Sequence, residues 1–198
     1  MESNRTAVLA AARQVFTERG YLAATLDQIA ETAGFSKGVV YSQFGSKADL
    51  FLAVLEQRID ERAAAHERIL AEMPSAIDAV AALAEISTST SRQHAAWGLA
   101  VIEFRTVAAR DRELLRRYRA LHQVTVERLA ALLQALFERS GASPSVPVEL
   151  LAEGALALDA GATLESVVRT APFDATAAIA LGRRLILGAD VTTLEVAR

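Results

Sequence analysis

Between Ser36 and Phe44 the chain reads Ser-Lys-Gly-Val-Val-Tyr-Ser-Gln-Phe. On a short helix this run leaves Lys37, Gly38, Val39, Tyr41, Ser42 and Gln43 facing outward, mostly short or uncharged. Such a set suits the donor and acceptor pattern that base edges present in a DNA major groove, which is wide enough to admit an α-helix. Enzyme chemistry finds much less to work with. Histidines stand only at 66, 94 and 122, with no H-E-x-x-H and no Glu-x-x-His pair, and there is no cysteine. Thiolate catalysis, Cys-ligated zinc, iron–sulfur clusters and helical di-iron sites are therefore excluded. No G-x-S-x-G, P-loop or dinucleotide fingerprint is present. The expectation is a protein that is not an enzyme, with no catalytic residue, no metal and no cofactor.

Helices must position the outward set. Of 198 residues, 52% are hydrophobic, 6% aromatic and only four are proline, and Ala, Leu, Glu and Arg recur throughout, which favours helix over strand. A first helix runs from about Ser3 to Arg19, with Leu9, Ala12 and Phe16 on one stripe and Gly20 as its terminator. Thr25-Leu-Asp-Gln28 is a capping box that opens a second helix, which ends at Gly34. Ser36 caps a third helix through Phe44, and Ser46 opens a fourth that reaches about Glu72. Gly34 can take φ > 0, so the chain can reverse sharply between the second and third helices, as in a helix-turn-helix. Ile29, Ala30, Ala33, Phe35, Val40 and Phe44 supply the apolar contacts between them.

Further helices are expected from Ser75, over Ala95–Ala109, from an Asp111 cap to about Ser140, over Val148–Thr163 and over Asp174–Gly188, about nine in all with no strand. The fold class is all-α: a three-helix unit over residues 1–47, then a larger helical bundle over 48–198. The N-terminus lacks a secretory h-region, and the longest uncharged stretch, Gln93–Ile102, is far short of the roughly 18 to 20 apolar residues of a membrane span. A cytoplasmic, reducing compartment and no membrane partner are expected. The formal net charge is −3, so any nucleic-acid surface must be local. Residues 1–50 carry five basic and five acidic groups, and the chain's only lysines, Lys37 and Lys47, both fall in this stretch.

The run from Thr25 to Leu50, preceded by a helix ending Phe-Thr-Glu-Arg-Gly-Tyr21, resembles the tetracycline-repressor-like (TetR) family of transcriptional regulators. The resemblance covers about a quarter of the chain. It implies that Thr25, Ser36, Tyr41 and Lys47 touch the DNA backbone. It implies also that Lys37, Gly38, Val39, Ser42 and Gln43 face base edges, Gln43 bridging adenine N6 and N7. The chain departs from the family's frequent pattern at Val39, Ser42 and Gln43, so an operator sequence does not transfer.

The same resemblance implies a homodimer on a pseudo-palindromic double-stranded operator, released when a small, largely apolar effector enters the bundle. Trp97, Val101 and Phe104, then Tyr118, Leu121, His122 and Thr125, share helix faces and are the candidate effector contacts, although an aromatic stripe at this spacing is more often core. Gly154, Leu158 and Gly161, with Ile179, Gly182, Leu185 and Ile186, form the apolar surface expected at the dimer interface. Arg110–Arg119 reads as a solvated helix face with a Glu113–Arg117 pair. The alternative from another class is a helical small-molecule-binding or scaffolding dimer that does not bind DNA.

Overall fold

The computed structural model describes residues 2–72, 92–141, 143–144 and 146–168. They form α1 (Glu2–Ala23), α2 (Leu26–Ala33), α3 (Lys37–Phe44), α4 (Lys47–Glu72), α5 (Arg92–Ala108), α6 (Arg112–Ser140) and α7 (Val148–Val168), with no strand among them. The helices expected from Ser75 and from Asp174 lie outside the described residues.

Local chemistry sets most of the boundaries. Thr25 Oγ1 accepts the Gln28 N–H at 3.2 Å while Gln28 Oε1 accepts the Thr25 N–H at 3.1 Å, a complete capping box that pairs two otherwise orphaned donors. Gly34 closes α2 in the left-handed region at φ 73°, ψ 24°, and its N–H and that of Phe35 return to Glu31 and Ala30 carbonyls. Ser46 Oγ accepts the Asp49 N–H at 3.1 Å to open α4, and Asp111 accepts the N–H groups of Glu113 and Leu114 to open α6.

Two expected helix ends, at Gly20 and Thr163, lie elsewhere. Gly20 kinks the chain at φ 76°, ψ 172°, and helical structure resumes as far as Ala23. α7 runs through Gly161 to Val168, because a helical glycine costs only about 1 kcal/mol and the packed side of the helix carries it.

Phe51 of α4 is the hub of the main core. Its ring lies 5.0 Å from Phe16 and 5.0 Å from Tyr21 of α1, and 5.3 Å from Trp97 and 4.5 Å from Phe104 of α5. Phe16, Phe51 and Phe104 are fully buried, each stabilising the fold by about 1.5–3 kcal/mol. The three-helix unit and the bundle therefore share one core rather than meeting at a polar seam. A second cluster, with Val126, Leu133, Leu136 and Ala152 at its centre, joins α6 to α7 and takes in Ile69 and Leu70 of α4. α7 crosses α5 closely: a Cβ on Gly98 would stand 2.9 Å from Thr163 Cγ2.

Candidate nucleic-acid interface

α2 and α3 make a hairpin whose inner side is sealed. Ile29, Ala30, Val40 and Phe44 are buried between the helices and α1, with Ala33 and Phe35 packed at the edge. The burial fixes the rotation of α3 and thereby decides what it shows to solvent. Outward stand Thr25, Ser36, Lys37, Gly38, Tyr41 and Ser42, all exposed, with Val39 half-buried among them. Tyr41 is 51% exposed, its phenol at the surface of a helix that packs by its other side.

The hydrogen-bonding capacity of this face is partly committed. The Thr25 oxygen accepts from Gln28, which leaves its hydroxyl proton available to a phosphate. Ser36 occupies the N-cap of α3 without a side-chain capping bond. Ser42 Oγ donates back to the Val39 carbonyl at 3.0 Å. Lys37 pairs with Asp27 across the hairpin, both side chains being largely exposed. Such a surface pair is worth roughly 0–1 kcal/mol, so Lys37 can leave it for a phosphate or a base at little cost.

Two residues of the sequence-derived set are placed differently. Gln43, which the helical register groups with the base-facing residues, is turned inward to a cleft of about 580 Å³ that it shares with Arg5, Phe44, Asp49, Arg116 and Arg117, among others. Its Oε1 is buried with no hydrogen-bond partner. Lys47 is drawn back as well: its ammonium donates to the carbonyls of Tyr21 at 2.8 Å, Leu22 at 3.2 Å and Ala24 at 2.9 Å, and lies 4.6 Å from the Tyr21 ring centre. All three ammonium protons are thus taken. Burial pushes the Lys47 pKa down, with the Glu103 carboxylate pulling the other way.

Lys47 shows what the sequence concealed. Glu103 of α5 accepts the Leu22 N–H at 2.8 Å, 81 positions away in the chain, and its oxygens fill the notch above Gly20. Arg117 of α6 pairs with Asp49 at 2.6 Å, so the expected Glu113–Arg117 pair is replaced by Glu113–Arg116 and a longer-range bond. Asp49 is held below the usual carboxylate range, first by the Ser46 hydroxyl and then by Arg117. No local pattern announces either contact, since both partners are ordinary exposed-type residues on separate helices.

The candidate effector contacts do come together, by packing on one another. Trp97, Phe104 and Tyr118 belong to the main core, and Val101 and Leu121 press against it. His122 stacks on Tyr118 with ring centres 6.1 Å apart, and the Thr125 hydroxyl is spent on the Leu121 carbonyl at 2.9 Å. Burial, and then Arg105, push the His122 pKa down, so the ring favours its neutral form. Over the described part of the dimer set, Gly154, Leu158 and Gly161 are exposed on α7, in company with Leu150, Leu164 and Val168. Ile179, Gly182, Leu185 and Ile186 lie outside the described residues. Among the described residues no group of acidic and histidine side chains is arranged to hold a metal, and no helix is long and apolar enough to cross a membrane.

A helix-turn-helix unit with an exposed, mostly uncharged outer helix, fused through a shared core to a larger all-helical body, defines a class of DNA-binding regulators. Residues 8–54 match the family model described as bacterial regulatory proteins, tetR family. The chain is 49% identical over 59 residues to the HTH-type transcriptional activator FasR of Mycolicibacterium smegmatis, a match that covers 30% of this chain and 27% of that protein. It is 29% identical over 180 residues to the HTH-type transcriptional regulator BetI of Rhizobium meliloti, covering 89% of this chain and 84% of the relative. A crystal structure of a TetR-family regulator from Rhodococcus sp. superposes with a TM-score of 0.77 at 22% identity, over 94% of this chain and all of that one. Residues 8–54 are thus a tetR-family DNA-binding region, and over nearly its whole length the chain has the fold of a TetR-family regulator.

Proposed function

We propose that the chain acts as a homodimer that binds a pseudo-palindromic operator in double-stranded DNA and is released from it by a small, largely apolar effector. The observation that carries the DNA part is the sidedness of α3: Val40 and Phe44 are buried while Lys37, Gly38, Tyr41 and Ser42 are exposed on its opposite face. Thr25, Ser36 and Tyr41 would fix the register on phosphates, and Lys37, Gly38, Val39 and Ser42 would face base edges. Lys47 supports the unit from behind. In this reading residues 1–47 read DNA, and residues 48–198 hold the effector and the dimer contact, in the cytoplasm.

The apolar α7 face supports the dimer, because Leu150, Leu158, Leu164 and Val168 are about half or more exposed on a helix whose other side is packed. A two-fold dimer would set two hairpins about 34 Å apart, one turn of duplex. An effector bound within the bundle would then release DNA by favouring an arrangement with the wrong spacing.

The test is enrichment of a randomised duplex library by the purified protein at moderate salt, with the bound pool sequenced. A pseudo-palindrome with half-sites about one helical turn apart is expected. Absence of enrichment, repeated at low salt, would overturn the reading in favour of a dimer that does not bind DNA.

A further inference from the structure

The α2–α3 hairpin is held at both ends by helices of the larger body. The turn leading into it, residues 20–25, is gripped by Glu103 of α5, which accepts the Leu22 N–H at 2.8 Å. The grip has a shaped seat: at Gly20 a Cβ would lie 2.7 and 2.8 Å from the two carboxylate oxygens, so any larger residue would require the carboxylate to shift from this position. The turn leading out, residues 45–49, is gripped by Arg117 of α6 through Asp49 at 2.6 Å, and Asp49 is itself held by Ser46. Lys47 ties the two turns together, since it stands at the start of α4 and donates to three carbonyls of the first turn.

These contacts differ in kind from the apolar core beneath them. Apolar burial is non-directional and tolerates small slides, whereas a hydrogen bond weakens steeply as its angle departs from linear. A hairpin resting on Phe16, Phe51 and Phe104 alone would be free to rock, and a polar contact at each end removes that freedom. We propose that Glu103 and Arg117 are positioning residues, one per helix, that set the angle at which α3 is presented. The inference rests on the reading of α2–α3 as the DNA-reading hairpin.

The experiment uses the full chain and the variants Glu103→Ala, Glu103→Gln, Arg117→Gln and Arg116→Gln. Two readouts are taken: affinity for the duplex enriched by the wild type against affinity for random duplex, and amide hydrogen exchange over residues 26–44 without DNA. Glu103→Ala and Arg117→Gln should each weaken the enriched duplex by about tenfold, an ordinary coupling strength, while changing random duplex by less than about twofold. Both should speed exchange across 26–44. Glu103→Gln keeps an acceptor for the Leu22 N–H and should stay near wild type, and Arg116→Gln, whose partner Glu113 lies on the same helix, should change nothing. Unaltered selectivity and exchange in both disruptive variants would overturn the proposal, as would equal losses on both duplexes. Should the wild type enrich no duplex, the DNA reading fails by itself, and the exchange data still decide whether Glu103 and Arg117 hold the hairpin.

Discussion

The ammonium of Lys47 lies 2.8 Å from the carbonyl oxygen of Tyr21 and 4.6 Å from the centre of the same residue's ring. One side chain thus binds both the backbone and the aromatic face of the residue at which α1 leaves its kink. The Tyr21 ring in turn stands edge-on to Phe51 and Phe104, so the lysine is seated on the core shared by the reading unit and the bundle. Its charge is used for assembly.

Lys47→Gln should lower stability by about 1–2 kcal/mol, the cost of leaving partly buried carbonyls unpaired, as read by urea denaturation. Operator affinity would fall with the loosened turn, but the salt dependence of binding should keep its slope. A lysine that neutralised a phosphate would lower the log–log slope by about 0.9 when removed, and a change of that size would show that Lys47 reaches DNA.

Tyr41 and Gln43 sit two positions apart on α3 and should respond in opposite ways. Tyr41→Ala removes a side chain that is 51% exposed and should change stability by less than about 0.5 kcal/mol while weakening binding to all duplex sequences. Gln43→Leu removes a buried acceptor without a partner and should be neutral or stabilising, with base preference unchanged. Altered preference at one position of each half-site would show that Gln43 turns outward on DNA.

Glycine substitution should rank the two turns of the hairpin. Gly34→Ala places a Cβ in open space at φ 73°, and should cost about 1 kcal/mol of left-handed strain. Gly20→Ala meets φ 76°, ψ 172°, a region nearly reserved for glycine and worth roughly 1–3 kcal/mol, and in addition evicts the Glu103 carboxylate. Chemical denaturation that found Gly34→Ala the more damaging would contradict the seat described for Glu103.

His66 on α4 predicts an acid-side loss of stability. Burial, and then Arg62, lower its pKa from 6.5 to about 4. The unfolded chain therefore takes up a proton near pH 6.5 that the folded chain refuses until about pH 4, so stability falls as pH drops through that window and this contribution is constant below it. Asp49, held below the usual carboxylate range by Ser46 and Arg117, contributes its loss at lower pH. Thermal unfolding from pH 7 to pH 4 should fall less steeply in His66→Gln than in the wild type, and parallel curves would refute the assignment.

The reading hairpin was legible because its causes are short-range. Thr25 and Gln28 are three positions apart and need only each other to cap α2, and Gly34 needs only its own freedom at φ to close it. The alternation of Ile29, Ala30, Val40 and Phe44 with polar residues likewise assigned the buried and exposed sides of the hairpin. The aromatic stripe of Trp97, Phe104 and Tyr118 was legible as a stripe, but periodicity is the same for a packed core and for a ligand wall, and here the three rings are buried in the core.

What the sequence determined by itself, then, was the all-helical class, the caps of α2, α4 and α6, the bounds of α3 and most of its sidedness, because hydrogen bonds within a turn and burial patterns within a helix act over a few residues. Tertiary structure alone decided where the charged side chains went. Lys47 turned to three carbonyls more than twenty positions earlier, Gln43 turned into the cleft, Arg117 left Glu113 for Asp49, and Glu103 found the Leu22 N–H. Long polar side chains have many rotamers and little intrinsic preference among partners, so their contacts are chosen only after the apolar core has brought distant backbones within reach.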